Sequence, residues 1–341
     1  MARFGGDAAE ALAALPRLTQ GGRHLAPAAS DAVAREVEAL AALGARLLFA
    51  DDPAYPPLLA RLPNAPVALA VRGAADRLAL RAVALVGARA ASAAGRNIAE
   101  SLAEALSRAD VTVVSGLARG IDAAAHTGAL RGRGKTIAVL PGGLDLPYPP
   151  ENAYLLDRII AEGGAVLAEA PLGTAPIARH FPARNRIVAG LSLGVVVVEA
   201  ARHSGTLITA RIGLEAGREI FAVPGSPLDP RSAGANDLIR QGAHLTETAE
   251  DVLDLLPEAP HDLPILNAAA PPRAAPAAAS TALVGGPQLL ELLGFEPMAV
   301  DEVLRRCHLS AAEARAVLLD LELEGLIEHL PGNRISRRNP G

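Results

Sequence analysis

The chain has 341 residues, and its 32 Lys and Arg against 37 Asp and Glu give a net charge of −5, which excludes a globally basic nucleic-acid binder but not a local basic patch. Half of it is hydrophobic, yet it holds only five Phe, three Tyr and no Trp, so its core must be built from Ala, Val, Leu and Ile. The single cysteine, Cys307, excludes an internal disulfide framework and a cysteine-based metal cluster. At ~100–200 residues per domain, the length fits two or three domains. There is no basic start followed by an apolar leader, and no run of about 18 apolar residues; the expectation is a cytoplasmic protein with no membrane segment.

The first 80 residues read as a small N-terminal helical module with a lead-in. Runs at 8–15 and 30–43 carry apolar residues at helical spacing, with Asp31 near the start of the second. Segment 51–71 then holds Pro53, Pro56, Pro57, Pro63 and Pro66. Such spacing forbids a long helix and predicts an extended path over the next domain's surface. Over residues 81–256, apolar runs at 83–86, 111–114, 136–140, 165–168, 195–198 and 220–223 alternate with helical patterns. Those patterns lie near 93–109, 120–131, 151–162, 184–192 and 206–217. Strands apolar at every position are buried on both faces, so helices must cover both sides of a parallel sheet. The prediction is a doubly wound, mostly parallel α/β domain. Residues 257–282 contain 16 Ala or Pro among 26, a linker composition. In 283–341, helical patterns at 287–293, 298–305 and 310–324 precede an apolar run at 326–330, a turn at 331–333 and a run at 334–336. The third helix opens on a capping box of Ser310 and Glu313. Three helices and a short hairpin form the winged-helix pattern.

In open α/β sheets, ligands lie beyond the carboxyl ends of the strands. The residues that follow the runs therefore carry the functional expectation. They include Gly87 and Arg89; Ser115, Gly116 and Arg119; Pro141, Gly142 and Gly143; and Glu199 leading to Arg202, His203, Ser204, Gly205 and Thr206. Glycine lets backbone amides approach a ligand, and helix N-termini favour anions, so these loops predict a groove suited to phosphate. Tight turns need glycine in any parallel sheet; the added Arg and Ser are what favour anion binding. A dinucleotide fingerprint is not met, because Arg89 replaces its second glycine and the second strand ends in Ser115 rather than an acid. Residues 132–136 imitate a phosphate-binding loop, but residue 129 is alanine and Lys135 and Thr136 open a strand. No cofactor is expected.

The sharpest feature is the segment 179–186, with Arg179, Phe181, Arg184, Asn185 and Arg186. No Asp or Glu occurs between Glu169 and Glu199, a span of 29 residues in a net-acidic chain. Arginines around an exposed ring suit single-stranded nucleic acid, where the cation tracks the backbone and a base stacks on the ring, worth ~1–3 kcal/mol per base. The alternative is a core Phe181 with solvated arginines. Asp122 and His126, four apart on a predicted helix, read as a structural brace. No histidine spacing suits a metal, and no catalytic residue is expected.

At this point the sequence resembles the DNA-processing protein A family, also called DprA or Smf. The resemblance covers about 51–256, and more loosely the C-terminal module. The matching blocks are 86–89, 115–126, 138–145 with Tyr148 and Pro149, 181–192, 204–210, 221–226, 234–239 and 242–244. It implies an extended Rossmann-type domain that binds single-stranded DNA, forms a homodimer and delivers the recombinase RecA onto incoming DNA in natural transformation. By this resemblance Arg89 and Arg119 would contact phosphates. Phe181, Arg184 and Arg186 would form the basic and aromatic part of the channel, with Asn185 hydrogen bonding nearby. Ser115, Gly116, Ser204, Gly205 and Thr206 would supply donors. The first loop, Gly87-Ala88-Arg89, lacks a hydroxyl the family often has.

The rival reading is an enzyme, a nucleotide phosphoribohydrolase of the lysine-decarboxylase-like Rossmann type, which shares a Pro-Gly-Gly turn. Here that turn continues as Leu144, Asp145 and Leu146, which does not suit it. The C-terminal module suggests duplex binding by its pattern, yet 287–341 carry six Arg against nine Asp and Glu. Asp320, Glu322 and Glu324 would repel phosphates, so a protein contact is expected of it.

Overall fold

The computed structural model describes residues 28–134 and 136–257, together with Leu12, Ala14, Leu318 and short strands at 19–20, 23–24, 298–299, 327–330 and 334–337. The chain divides into two units, 1–268 and 269–341.

In the first unit, β1 (Thr19–Gln20) and β2 (Arg23–His24) pair antiparallel. Helix α1 (Ser30–Ala42) lies where the apolar spacing placed a helix. The expected helix at 8–15 falls outside the described residues, except for Leu12 and Ala14. Nine strands form the main sheet: β3 (Ala45–Phe49), β4 (Ala68–Gly73), β5 (Ala82–Val86), β6 (Thr112–Ser115), β7 (Thr136–Leu140), β8 (Ala165–Ala168), β9 (Gly194–Val197), β10 (Glu219–Ala222) and β11 (His244–Leu245). Their order is β11-β10-β9-β5-β6-β7-β8-β4-β3. From β11 to β8 every pairing is parallel, and β4 joins β8 and β3 antiparallel.

The sheet begins earlier in the chain than the sequence suggested. Segment 51–71 does not simply cross the surface; β3 precedes it, its last residues open β4, and both strands extend the sheet. Its prolines confine helix to one turn, α2 (Pro57–Ala60). Tyr55 closes the excursion by donating its hydroxyl to the Pro66 carbonyl at 2.6 Å, and burial pushes its pKa up to about 12. The physical reason for the difference is that proline is tolerated between strands, while the apolar residues around it are free to pair and pack.

The six expected strands of the parallel sheet are present, each within one residue of its expected span. Between them run α3 (Ala93–Arg108), α4 (Ile121–Gly132), α5 (Ala153–Ala161), α6 (His180–Gly190) and α7 (Thr206–Glu215), followed by α8 (Ala233–Arg240) and α9 (Ala249–Leu253). Strand β5 is buried at all five positions. Its Val83 and Leu85 pack with Leu102 and Leu106 of α3 and Ala125 and Ala129 of α4; Ala84 and Val86 face the other side, with Ile187 of α6 and Ala210 of α7. That two-sided burial is what a parallel sheet under helices requires. Small residues replace aromatics by letting helices close in: a Cβ at Gly128 of α4 would lie 2.1 Å from the Glu100 carbonyl oxygen of α3.

In the second unit, β12 (Met298–Ala299), β13 (Ile327–Leu330) and β14 (Arg334–Arg337) form an antiparallel sheet in the order β12-β14-β13. The hairpin matches the expected wing. The expected helix at 298–305 instead opens on two strand residues; Pro297 just before them has no N–H to donate, which suits entry to a sheet edge. The expected helices at 287–293 and 310–324 and the linker at 257–282 lie largely outside the described residues.

Candidate nucleic-acid interface

The turns that follow β5, β6, β9 and β10, with α6, converge on one groove of about 1280 Å³ beyond the carboxyl edge of the sheet. Helix α6 begins at His180, four residues earlier than its sequence pattern, because Pro182 sits in the first turn where no intrahelical N–H is lost. Phe181, Asn185 and Val188 therefore share one helical face, and all three line the groove. The Arg89 guanidinium carbon lies 4.4 Å from the Phe181 ring centroid, a cation–π contact. Tyr148 meets the same ring edge-on, at 6.0 Å between centroids. Among the described residues no carboxylate bridges to Arg89, and it is exposed. A ring, an exposed cation and open space thus stand together.

The turn between β6 and α4 forms the groove floor. Leu117 is fully buried with φ +57, a left-handed conformation that costs an apolar side chain ~1–2 kcal/mol. Two side chains hold it there. Asp122 accepts from the Gly116 and Ala118 amides at 3.1 and 3.3 Å, and the Asn152 amide donates to the Leu117 and Ala118 carbonyls at 2.8 and 3.1 Å. Gly120 must be glycine, since its φ is +74 and a Cβ would sit 2.3 Å from the Ala88 carbonyl oxygen.

Arg184 lies against that floor. It is 6% exposed and donates to the Val139 carbonyl at 2.8 Å, and a Cβ on Gly116 would collide with its guanidinium. Burial lowers its pKa, while the Asp122 charge opposes the shift and Arg89 adds to it. Burial in turn raises the Asp122 pKa, with Arg184 opposing. Asp122 and Arg184 are thus two buried groups of opposite charge that act on each other through space, each bonded to backbone rather than to the other.

Of the sequence-predicted residues, Gly87, Arg89, Gly116, Phe181, Arg184, Asn185, Ser204, Gly205 and Thr206 line the groove. Thr206 also donates to the Gly87 carbonyl at 3.0 Å and Asn185 to that of Gly205 at 3.5 Å, so these polar groups tie the loops together. Three residues do not line it. Ser115 is buried and donates its hydroxyl to the Leu85 carbonyl at 2.7 Å, because the last strand residue points into the core. Arg119 turns outward to Glu151. Arg186, 13% exposed, turns to Glu169, because it lies two positions from Arg184 on α6 and so faces another side. Sequence reasoning missed Tyr148 and Arg231 as lining residues and gave Arg202 and His203, which also line the groove, no individual role. Arg202 and His203 stood in a named loop; nothing in sequence pointed to Arg231, which is paired with Asp229.

Asp122 and His126 do not bond each other. His126 is fully buried with Nδ1 2.7 Å from the Thr136 hydroxyl, which itself donates to the Val113 carbonyl at 2.8 Å. The ring must therefore donate from Nδ1 and stay neutral, and burial drops its pKa to about 3. The Pro-Gly-Gly turn is covered: Gly143 donates to the Thr174 carbonyl at 3.0 Å, and a Cβ at Gly142 would lie 2.5 Å from that same oxygen. Among the described residues no group of His, Cys, Asp and Glu could hold a metal ion, and no helix is long and apolar enough to cross a membrane.

A sequence model of the family described as DNA recombination-mediator protein A matches residues 46–257. The chain belongs to this family. A second model, for the DprA winged helix domain, matches 269–333, starting inside the Ala/Pro-rich segment. Protein Smf of Escherichia coli is 42% identical over 292 residues, covering 86% of this chain and 77% of that one. The DNA processing protein DprA of Streptococcus pneumoniae is 47% identical over 202 residues, 59% of this chain and 71% of its own. A solved structure of the S. pneumoniae DprA superposes with TM-score 0.62 at 41% identity, covering 67% of this chain and 78% of that one. A structure of DprA from Helicobacter pylori, described as giving insight into its single-stranded DNA binding mode, has TM-score 0.56 at 29% identity, covering 62% and 94%. The fold is that of the DprA family: a Rossmann-type, mostly parallel sheet, followed by a winged-helix domain.

Proposed function

We propose that the chain binds single-stranded DNA in this groove without turnover and, as a cytoplasmic homodimer, loads RecA onto that DNA for recombination during natural transformation. The observation that carries the binding step is Arg89 poised over the Phe181 ring inside a groove lined by Arg184, Arg202 and Arg231. A base stacks where the guanidinium now lies, and the displaced cation meets the neighbouring phosphate. Backbone and hydroxyl donors of Gly116, Ser204, Gly205 and Thr206 add contacts that carry no sequence information. The DNA binding described for the H. pylori relative supports the reading, as does membership of a DNA-processing family. RecA delivery, the homodimer and transformation come from the family resemblance; a dimer presents two grooves to one strand.

Titration with fluorescent oligo-dT at several salt concentrations tests the binding step. Phe181→Ala should weaken binding by ~1–3 kcal/mol with the salt slope kept. Arg89→Ala should weaken it and flatten the slope by about 0.7, one phosphate contact on a single strand. If both variants keep wild-type affinity and slope, the groove is not the DNA site. Arg89, not the buried Arg184, is the residue whose removal reports the salt dependence. RecA delivery is read separately, as strand exchange on DNA pre-coated with single-strand-binding protein.

A further inference from the structure

A second cavity, of about 240 Å³, lies behind α6. His180, Ala183, Arg184 and Ile187 line it, the face of α6 next to that of Phe181 and Asn185. Arg184 forms a wall of both cavities. The far side is Leu140 and Pro141 after β7, with Glu169 and Ala170 after β8. Two of these lining residues carry a buried nitrogen with no hydrogen-bond partner, Nε of Arg184 and Nδ1 of His180. Buried polar groups left unpaired are costly, so two of them on residues that wall one cavity call for a ligand with matching acceptors.

The walls define its chemistry. Arg184 can only donate, and Glu169 can only accept. One oxygen of Glu169 is taken by Arg186, which leaves the other for an N–H. Leu140, Pro141 and Ile187 supply apolar surface for a flat ring. A phosphate would meet the Glu169 carboxylate and is disfavoured. A planar ring with acceptors on one edge and donors on another fits, and among the four bases guanine presents O6 and N7 as acceptors and N1–H and N2–H₂ as donors. We infer that this cavity is a guanine pocket, with Arg184 and His180 on the acceptor edge and Glu169 on the donor edge. It would add a sequence preference to an otherwise sequence-tolerant groove, and so rests on the proposed single-strand binding.

The ring could come from the strand or from a free nucleotide, and two arms separate these. In the first, the full chain is titrated with oligo-dT and with the same strand carrying one dG. The dG strand should bind about tenfold tighter, the range of one good bidentate base contact. Inosine, lacking N2–H₂, should lose part of that gain. Ala170→Leu, which fills the cavity without touching the groove, should abolish the preference and leave oligo-dT affinity within about twofold, and Glu169→Gln should abolish it too. In the second arm, dGMP is titrated calorimetrically into DNA-free protein. Heat that vanishes in Ala170→Leu marks the free nucleotide as a ligand; a dG preference with no dGMP heat marks the strand as the source. No dG preference and no dGMP heat, or a preference that survives Ala170→Leu, overturns the inference and leaves a cavity filled by water. Failure of oligo-dT itself to bind would instead strike the groove reading, while the dGMP arm would still test the pocket.

Discussion

Two neighbouring strand-to-helix turns, β5 to α3 and β6 to α4, look alike in sequence: both are short, glycine-bearing and followed by arginine. They are built in opposite ways. At the first, Glu199 from the end of β9 seals the helix start. It accepts from the Ser92 amide at 2.9 Å and the Ser92 hydroxyl at 2.5 Å, and Ser92 in turn accepts from the Gly95 amide at 2.8 Å. A carboxylate thus fills the position where dinucleotide-binding folds place a phosphate. At the second, Gly120 offers no capping side chain, Asp122 bonds back to Gly116 and Ala118, and the turn opens on the groove beside Arg184. The first turn has its helix start closed by a carboxylate, while its Gly87 and Arg89 still line the groove; the second is a strained platform for a cation. What separates them is a residue contributed by a strand 107 positions away in the chain, not the turn's own glycines.

The largest break in this comparison is Asp122→Ala. It leaves the Gly116 and Ala118 amides without their acceptor, at about 1–3 kcal/mol each, and takes away the charge that offsets the burial of Arg184. Urea denaturation should show it as a lower midpoint at unchanged slope. Asp122→Asn, which keeps an acceptor for the amides, should lose less; equal losses would mean that the charge on Asp122 does nothing for Arg184. Next in size is the pH response of the same helix. The His126 pKa falls from 6.5 to about 3 on folding, so below pH 6.5 the unfolded chain takes up a proton that the native ring refuses. Stability therefore drops on acidification between those values, by about 2 kcal/mol from pH 7 to pH 5. His126→Gln should flatten that limb; an unchanged acid limb would show that other groups drive it.

How much of this was legible in the sequence differs by level. The alternation of apolar runs with helical patterns placed six strands and the helices between them, since burial on both faces leaves a signal in every strand residue. Strands β3 and β4 were hidden because prolines between them outweighed the flanking apolar residues. The rim of the sheet predicted the groove, and nine of its named residues line it. Ser115, Arg119 and Arg186 lie outside the groove for a common reason: residue type announces a charge or hydroxyl, but rotation about a helix or strand decides where it points. The acid-free window from Glu169 to Glu199 was sound as sequence, yet its two boundary carboxylates are the ones that engage Arg186 and Ser92. Both carboxylates were in view as bookends, and their partners could be assigned only once the fold brought them in.

The gentlest test of the comparison is Glu199→Ala. It removes the carboxylate from the α3 N-terminus and leaves the Ser92 cap of the Gly95 amide in place, so the loss should be about 1 kcal/mol, far below that of Asp122→Ala. The vacated helix start would then present free N–H and a positive dipole end beside the groove. Sulfate, a small dianion, should raise the melting temperature of the variant more than that of the wild type, and the gain should fade as an inert salt screens it. If sulfate acts equally on both proteins, the carboxylate is not what closes this corner. A selective response would explain why the α3 N-terminus of this Rossmann-type sheet is not itself an anion site: the chain supplies its own anion there, which leaves anion binding to the groove's cations.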